Sequence, residues 1–278
     1  MFHVAYTVDL ERGKLMRKIT PLPTAAATAA AALAAGLVLA GCGSSASSSP
    51  SGSATHSAAA ARTTASGTAA TGGSAAASAS VPFPVAVGNS WTYNITTNGE
   101  SGTTINKMTA VTPVAAGQQV TMLTTDHVGS INASSSLTYL FHADGSISYP
   151  LGSFSPGSGV TVTTNGVVWP PASVIASGKP SQSTLNISIK AAGQAISTTA
   201  HVTVQGAGTA SVTVPAGTYR ATVVLVTERI SIVGITATIE IKTWLAPNVG
   251  PVKEQVTTTD AGTSALAADE ELVSFTKG

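Results

Sequence analysis

Apolar and polar residues alternate one for one along much of the chain after residue 82. In residues 185–190 (Leu-Asn-Ile-Ser-Ile-Lys) the odd positions are apolar and the even ones polar, and residues 235–242 and 252–257 repeat the pattern. Successive side chains of a strand point to opposite faces. This period therefore predicts half-buried strands with one wet face, the habit of antiparallel sheets. Further strands are expected over residues 89–97, 103–112, 118–128, 136–143, 195–205, 209–214, 218–232 and 263–275, where Thr and Val dominate. Helical periodicity is missing from this region. Gly and Pro gather at Pro150, Gly152, Pro156, Gly157, Gly159 and Pro170-Pro171, a stretch that reads as looped. Roughly ten strands cannot remain one flat sheet. The expected fold class is all-β: an antiparallel, strongly curved sheet or sandwich, barrel-like in form.

Turn chemistry sharpens four connections. His142-Ala143-Asp144-Gly145-Ser146 predicts a hairpin turn with Asp-Gly as a type I′ pair. Pro215 lacks an N–H and belongs at a strand end, while Gly217 supplies a positive φ before the strand from Thr218. Pro247 and Gly250 turn the chain between two strands in the same way. A hairpin over residues 223–245 is expected to turn at Gly234-Ile235, setting Arg229 opposite Glu240 and Leu225 opposite Trp244. The competing register turns at Val233-Gly234.

Ahead of the alternating region the composition changes twice. In residues 1–41, Arg17 and Lys18 precede an apolar, uncharged run, the layout of a secretory signal segment. Asp9 and Glu11 are out of place in such a leader, so Met16 makes the better start. The run ends in Leu39-Ala40-Gly41-Cys42, which resembles the lipobox of bacterial lipoproteins at all four positions. That resemblance implies cleavage before Cys42 and acyl chains carried on its thiol, the best nucleophile among side chains. Residues 43–81 are almost wholly Ser, Ala, Thr and Gly. They bury too little to offset their ordering entropy and read as a disordered tether with a reach of roughly 35 Å. The expected organisation is a signal segment (1–41), a lipidated Cys42 with its tether (42–81) and a β domain (82–278). The membrane is thus a partner through Cys42, on its extracytoplasmic face.

Charge narrows the classes of function. Only 9% of residues are charged, against about 25% in an ordinary globular domain. Residues 82–278 hold eight Lys and Arg against ten Asp and Glu, a net charge of −2, which offers nothing to nucleic acid. One cysteine in the whole chain excludes an internal disulfide framework and a cysteine metal cluster.

Two groups of residues carry a second resemblance. Phe83-Pro84-Val85-Ala86-Val87-Gly88-Asn89-Ser90-Trp91-Thr92-Tyr93 resembles the opening of a family of secreted bacterial proteins called TapB-like. Val214-Pro215-Ala216-Gly217-Thr218-Tyr219, and then Trp244-Leu245-Ala246-Pro247-Asn248-Val249-Gly250-Pro251-Val252-Lys253-Glu254, resemble its closing half. The resemblance implies a mostly β secreted domain and brings no catalytic residues. Taken on their own, Trp91 and Trp244 read as core plugs near sheet ends. Trp169, ahead of Pro170-Pro171, stands evenly between a core side chain and the rim of a ligand site.

Candidate chemistry is sparse. No Gly-x-Ser-x-Gly elbow with Asp and His partners occurs. His127, His142 and His201 fall on separate expected strands, outside any metal-ligating spacing, and Asp126 and His127 should point to opposite faces. Glu228, Glu240 and Glu254 read as solvated or cross-strand partners, and Asp269-Glu270-Glu271 as a loop or strand edge. No enzyme activity, cofactor or metal is expected. The function expected is that of an envelope lipoprotein whose β domain binds an envelope protein or cell-wall partner. A carrier of a hydrophobic ligand in a curved sheet is the alternative. An enzyme with a scattered site would require clustered ionisable groups with perturbed pKa values.

Overall fold

The structure is a computed structural model that describes residues 83–278 apart from 98, 158–159, 192–193, 233–234 and 261–262. The signal segment, Cys42 and the tether lie outside the described residues. Strands β1 (Ser90–Thr97), β2 (Glu100–Val114), β3 (Gly117–Val128) and β4 (Ile131–His142) run as successive antiparallel hairpins. Then come β5 (Ile147–Gly157), β6 (Val160–Thr164), β7 (Val167–Trp169) and the short helix α1 (Ala172–Ala176). The chain finishes with β8 (Ser181–Ala191), β9 (Gln194–Val214), β10 (Gly217–Ile232), β11 (Ile235–Ala246), β12 (Gly250–Asp260) and β13 (Thr263–Thr276).

Each strand from β1 to β6 pairs with the next, as does each from β8 to β13, while β6 pairs with β8 and β1 with β13, so the sheet closes on itself as an antiparallel 12-strand barrel. Strands β6 and β7 share one place in that wall: Thr164 pairs with Gly152 and Val167 with Tyr149, the same register on β5 on either side of Asn165-Gly166. The expected curved, barrel-like antiparallel sheet is thus present in its closed form. Closure leaves no exposed strand edge to protect, which suits wet faces built of Thr and Ser rather than Lys and Glu.

Alternation fixes which face is inside. On β1, Trp91, Tyr93, Ile95 and Thr97 are buried while Asn94 and Thr96 are exposed. Met108, Met122, Leu137, Tyr139, Leu185, Ile187, Val202, Val226 and Leu272 continue the inner face around the barrel. Apolar side chains face in and hydroxyls face out, the reverse of a lipid-facing barrel.

Three local expectations are corrected. Residues 150–171 were expected to be looped but carry most of β5, with β6 and β7. Strands expected at 195–205 and 209–214 are one strand, β9. Its glycines sit at a bulge, where the register on β10 shifts between Thr222 and Val224, opposite Thr209 and Gly206. Gly206 also lets α1 close on β9, because a Cβ there would run into the Ile175 carbonyl. In the turn after β4, only Gly145 takes a positive φ (83°), so the turn is not type I′. Asp144 instead accepts from the Ser146 N–H (2.8 Å) and hydroxyl (2.6 Å), which satisfies the turn through its own side chain.

The expected positive φ at Gly217 (134°) and Gly250 (90°) is present. In the β10–β11 hairpin, Arg229 pairs with Thr238 and Glu240 with Thr227, the register that has Val233-Gly234 as its turn. The turn residues themselves lie outside the described residues. A slip of two residues keeps every side chain on its face, so alternation could not choose between the registers.

Candidate functional site

Strands β12 and β13 bring two glutamates face to face. Val252, Glu254 and Val256 are buried along β12, and Ala268, Glu270 and Leu272 along β13, with Glu254 and Glu270 directly paired. Lys253, Asp269 and Glu271 are the neighbours that point the other way. The Lys253 ammonium binds Glu271 at 2.6 Å and Asp269 at 3.4 Å on the outside of the wall. Asp269-Glu270-Glu271 is therefore mid-strand, not a loop or edge, and only its central residue enters the barrel. Glu228 on β10 and Asp126 on β3 are buried as well. Glu228 and Glu254 are not solvated, which corrects that half of the sequence reading, whereas Glu254 is a cross-strand partner, of Thr243 on β11. Glu240 is exposed, as expected.

Four buried carboxyls thus share an interior to which no described Lys or Arg points. All of these cations are exposed except the half-buried Lys253, which is paired outside. Burial raises Asp126 to about 6 against the hydrogen bond it accepts from the Thr104 hydroxyl (2.8 Å), and raises Glu228 to about 7. Glu254 is raised by burial although it accepts from the Thr243 hydroxyl at 2.9 Å. Glu270 is raised furthest, by burial and then by the Glu254 charge. Its residue exposure is 0%, and neither carboxyl oxygen has a hydrogen-bond partner. Such an orphaned group demands an explanation in a native interior.

Aromatic groups lie within electrostatic reach of the acids, because the Glu254 charge, after burial itself, raises both Tyr139 and Tyr149. Tyr139 stacks on Tyr149 at 5.4 Å, and Tyr149 meets Trp169 at 6.2 Å. Trp169 is 5% exposed, on a strand rather than in a loop, so it faces the interior instead of an open rim. Its indole N–H makes no hydrogen bond of ordinary length, although it lies near enough to influence the Tyr149 hydroxyl. The histidines stay apart as expected. His127 bonds Asn132 (2.6 Å), His142 bonds Ser148 (2.8 Å), and exposed His201 lies beside Arg229 in a shallow outer depression of about 680 Å³. Among the described residues, no three His, Cys, Asp or Glu converge closely enough to hold a metal ion.

The two quoted end motifs meet in space. Trp91 Nε1 donates to the Val249 carbonyl (2.7 Å) and the Tyr93 hydroxyl to the Pro251 carbonyl (3.0 Å). Phe83 packs 5.1 Å from Trp91 and covers Gly250, where a side chain would collide with its ring. Trp91 is the core plug expected; Trp244 is buried too, with the Lys242 ammonium 4.7 Å above its ring. These motif residues pin the β11–β12 turn across the barrel seam.

Comparison with known proteins places this architecture. No curated protein matches the chain significantly. Among solved structures, it is similar to a protein of Parabacteroides distasonis described as a lipoprotein, with 17% identity and a TM-score of 0.51, over 72% of this chain and all of that one. It is also similar to a protein of Bacteroides fragilis described as exported, with a YmcC-like fold, at 17% identity and a TM-score of 0.47, over 70% of this chain and 98% of that one. At such identity the likeness speaks for the fold alone. The sequence itself matches a protein family over residues 87–260, a span that includes most of both end motifs and nearly every strand of the barrel, and on that match the chain belongs to the DUF3108-like family.

Proposed function

We propose that this protein is an envelope lipoprotein, held through Cys42 at the outer face of the membrane, whose barrel is a non-catalytic binding domain with its site inside. The observation that carries the binding reading is the inward set of Asp126, Glu228, Glu254 and Glu270. Packing gains nothing from burying ionisable groups without a cationic partner, and each costs stability. A fold relative described as a lipoprotein supports the extracytoplasmic setting, as does Leu39-Ala40-Gly41-Cys42 at the end of an apolar run. Two acyl chains give stable anchoring where one gives marginal binding.

The test has two arms. Metabolic labelling with a fatty-acid analogue should label the wild type and not Cys42→Ala; an unlabelled wild type that partitions into water refutes the anchor. Native mass spectrometry of full-length protein from its own host should show a non-covalent small-molecule adduct. A bare mass under gentle activation refutes the binding site.

The facing pair Glu254–Glu270 also keeps a catalytic reading in view, because clustered carboxyls displaced toward neutral pH are what an acid–base enzyme uses. Turnover of an envelope substrate that is abolished in Glu254→Gln would replace the binding reading. A neutral amphiphile as the adduct would select the hydrophobic-ligand alternative.

A further inference from the structure

We infer that the barrel interior binds an organic cation, an ammonium or guanidinium group seated between Glu254 and Glu270 on one side and the rings of Tyr139, Tyr149 and Trp169 on the other. This rests on the binding reading and names its ligand class. Three observations converge on it. The interior carboxyls have no cationic partner among the described residues, since every described Lys and Arg is exposed or paired outside. Glu270, wholly buried and aimed into the barrel, has both oxygens unbonded, so an acceptor pair stands ready for N–H donors. The stacked rings lie in the same electrostatic neighbourhood: after burial itself, the Glu254 charge is the largest influence on both Tyr139 and Tyr149.

Aromatic faces beside carboxylates form the chemistry that recognises alkylammonium and guanidinium groups. The ring quadrupole attracts the cation's apolar-sheathed charge while the carboxylates neutralise it. A bare metal ion fits less well, because no three acidic or histidine side chains converge among the described residues. An anionic ligand would find no described Lys or Arg to neutralise it there. The unbonded Trp169 N–H then serves an acceptor elsewhere on the ligand, which makes Trp169 a ligand contact from inside the wall rather than from a rim.

The experiment uses the full-length protein in detergent, in phosphate buffer free of amines, with choline, agmatine and spermidine as probes and glycerol as the uncharged control. Calorimetry and tryptophan fluorescence read binding. At least one cation should bind while glycerol does not, and Glu270→Gln should weaken that binding by about 30-fold or more. Trp169→Phe keeps the ring and removes the N–H, and should alter affinity less. Circular dichroism checks that both variants fold; should Glu270→Gln not fold, Glu254→Gln carries the same expectation. Cations that fail to bind at millimolar concentration, or that bind Glu270→Gln and Glu254→Gln as tightly as the wild type, overturn the inference. A native adduct that proves neutral overturns it too, while leaving the binding domain standing.

Discussion

Replacing Glu228 by Gln removes one buried acid with almost no change of shape, and its consequence can be worked from the structure. Burial raises this carboxyl from an ordinary 4.5 to about 7 in the folded protein. In the unfolded chain it returns to the ordinary value, so between the two values the folded state holds more protons than the unfolded one. Stability from this group is therefore complete in acid and is lost as pH rises through that window. The displacement corresponds to about 3 kcal/mol once Glu228 is fully ionised, and about 2–3 kcal/mol of it develops between pH 5 and pH 8. Gln cannot ionise and escapes this loss. Asp126, Glu254 and Glu270 titrate in both proteins, and their share cancels except that, beyond burial, the Glu228 charge raises Glu254, a coupling whose loss in the variant acts in the same direction. Urea unfolding of full-length protein in amine-free buffers at pH 5, 6, 7 and 8 reads the effect. With a slope of about 2 kcal/mol/M, the variant's midpoint should exceed that of the wild type by about 1 M more at pH 8 than at pH 5. Midpoint curves that run parallel across this range would refute the claim that the Glu228 carboxyl is buried.

Other expectations follow from single contacts. Trp91→Phe keeps the ring packing but strands the Val249 carbonyl, and should cost about 1–3 kcal/mol in the same unfolding assay. Gly206→Ala sets a methyl against the Ile175 carbonyl, so α1 must shift off β9 at a cost of about 1–3 kcal/mol, with amide exchange quickening over residues 172–178. Thr243→Val removes the hydroxyl that bonds Glu254 and should raise that carboxyl further, as followed by carboxyl carbon chemical shifts against pH.

Alternation was a reliable guide to strands and to which side chains face in, because a half-buried wall imposes period two on every strand it contains. Closure of the ring was not legible: it depends on the pairing of β1 with β13, residues too distant in sequence for any local pattern to report. Residues 150–171 misled for a related reason. Pro150 and Gly152 read as breakers, yet β5 continues through them with β4 on one side and β6 and β7 on the other. The buried acids set polarity against parity: Glu254 sits between inward Val252 and Val256, and Glu270 between inward Ala268 and Leu272, so the alternation that marks those apolar residues as buried applies equally to the acids. Polarity was allowed to outweigh parity. Parity was the better witness, and it alone could have found the site.

The pairing of β1 with β13 has a bearing on how the chain assembles. Apart from β8, which pairs with β6, and β7, which pairs with β5, the other neighbours in the wall are also neighbours in sequence, so most of the barrel can zip up hairpin by hairpin as it emerges. The seam waits for β13. Until Trp91 meets Phe275 and the Gly278 N–H reaches Asn89, the growing sheet is an open ribbon with bare β1 on one side and the newest strand on the other. A chain interrupted before residue 263 would keep both edges exposed permanently and recruit other strands to them. Clearance by proteases and chaperones would thus have a sharp criterion to act upon, the presence or absence of a single late strand.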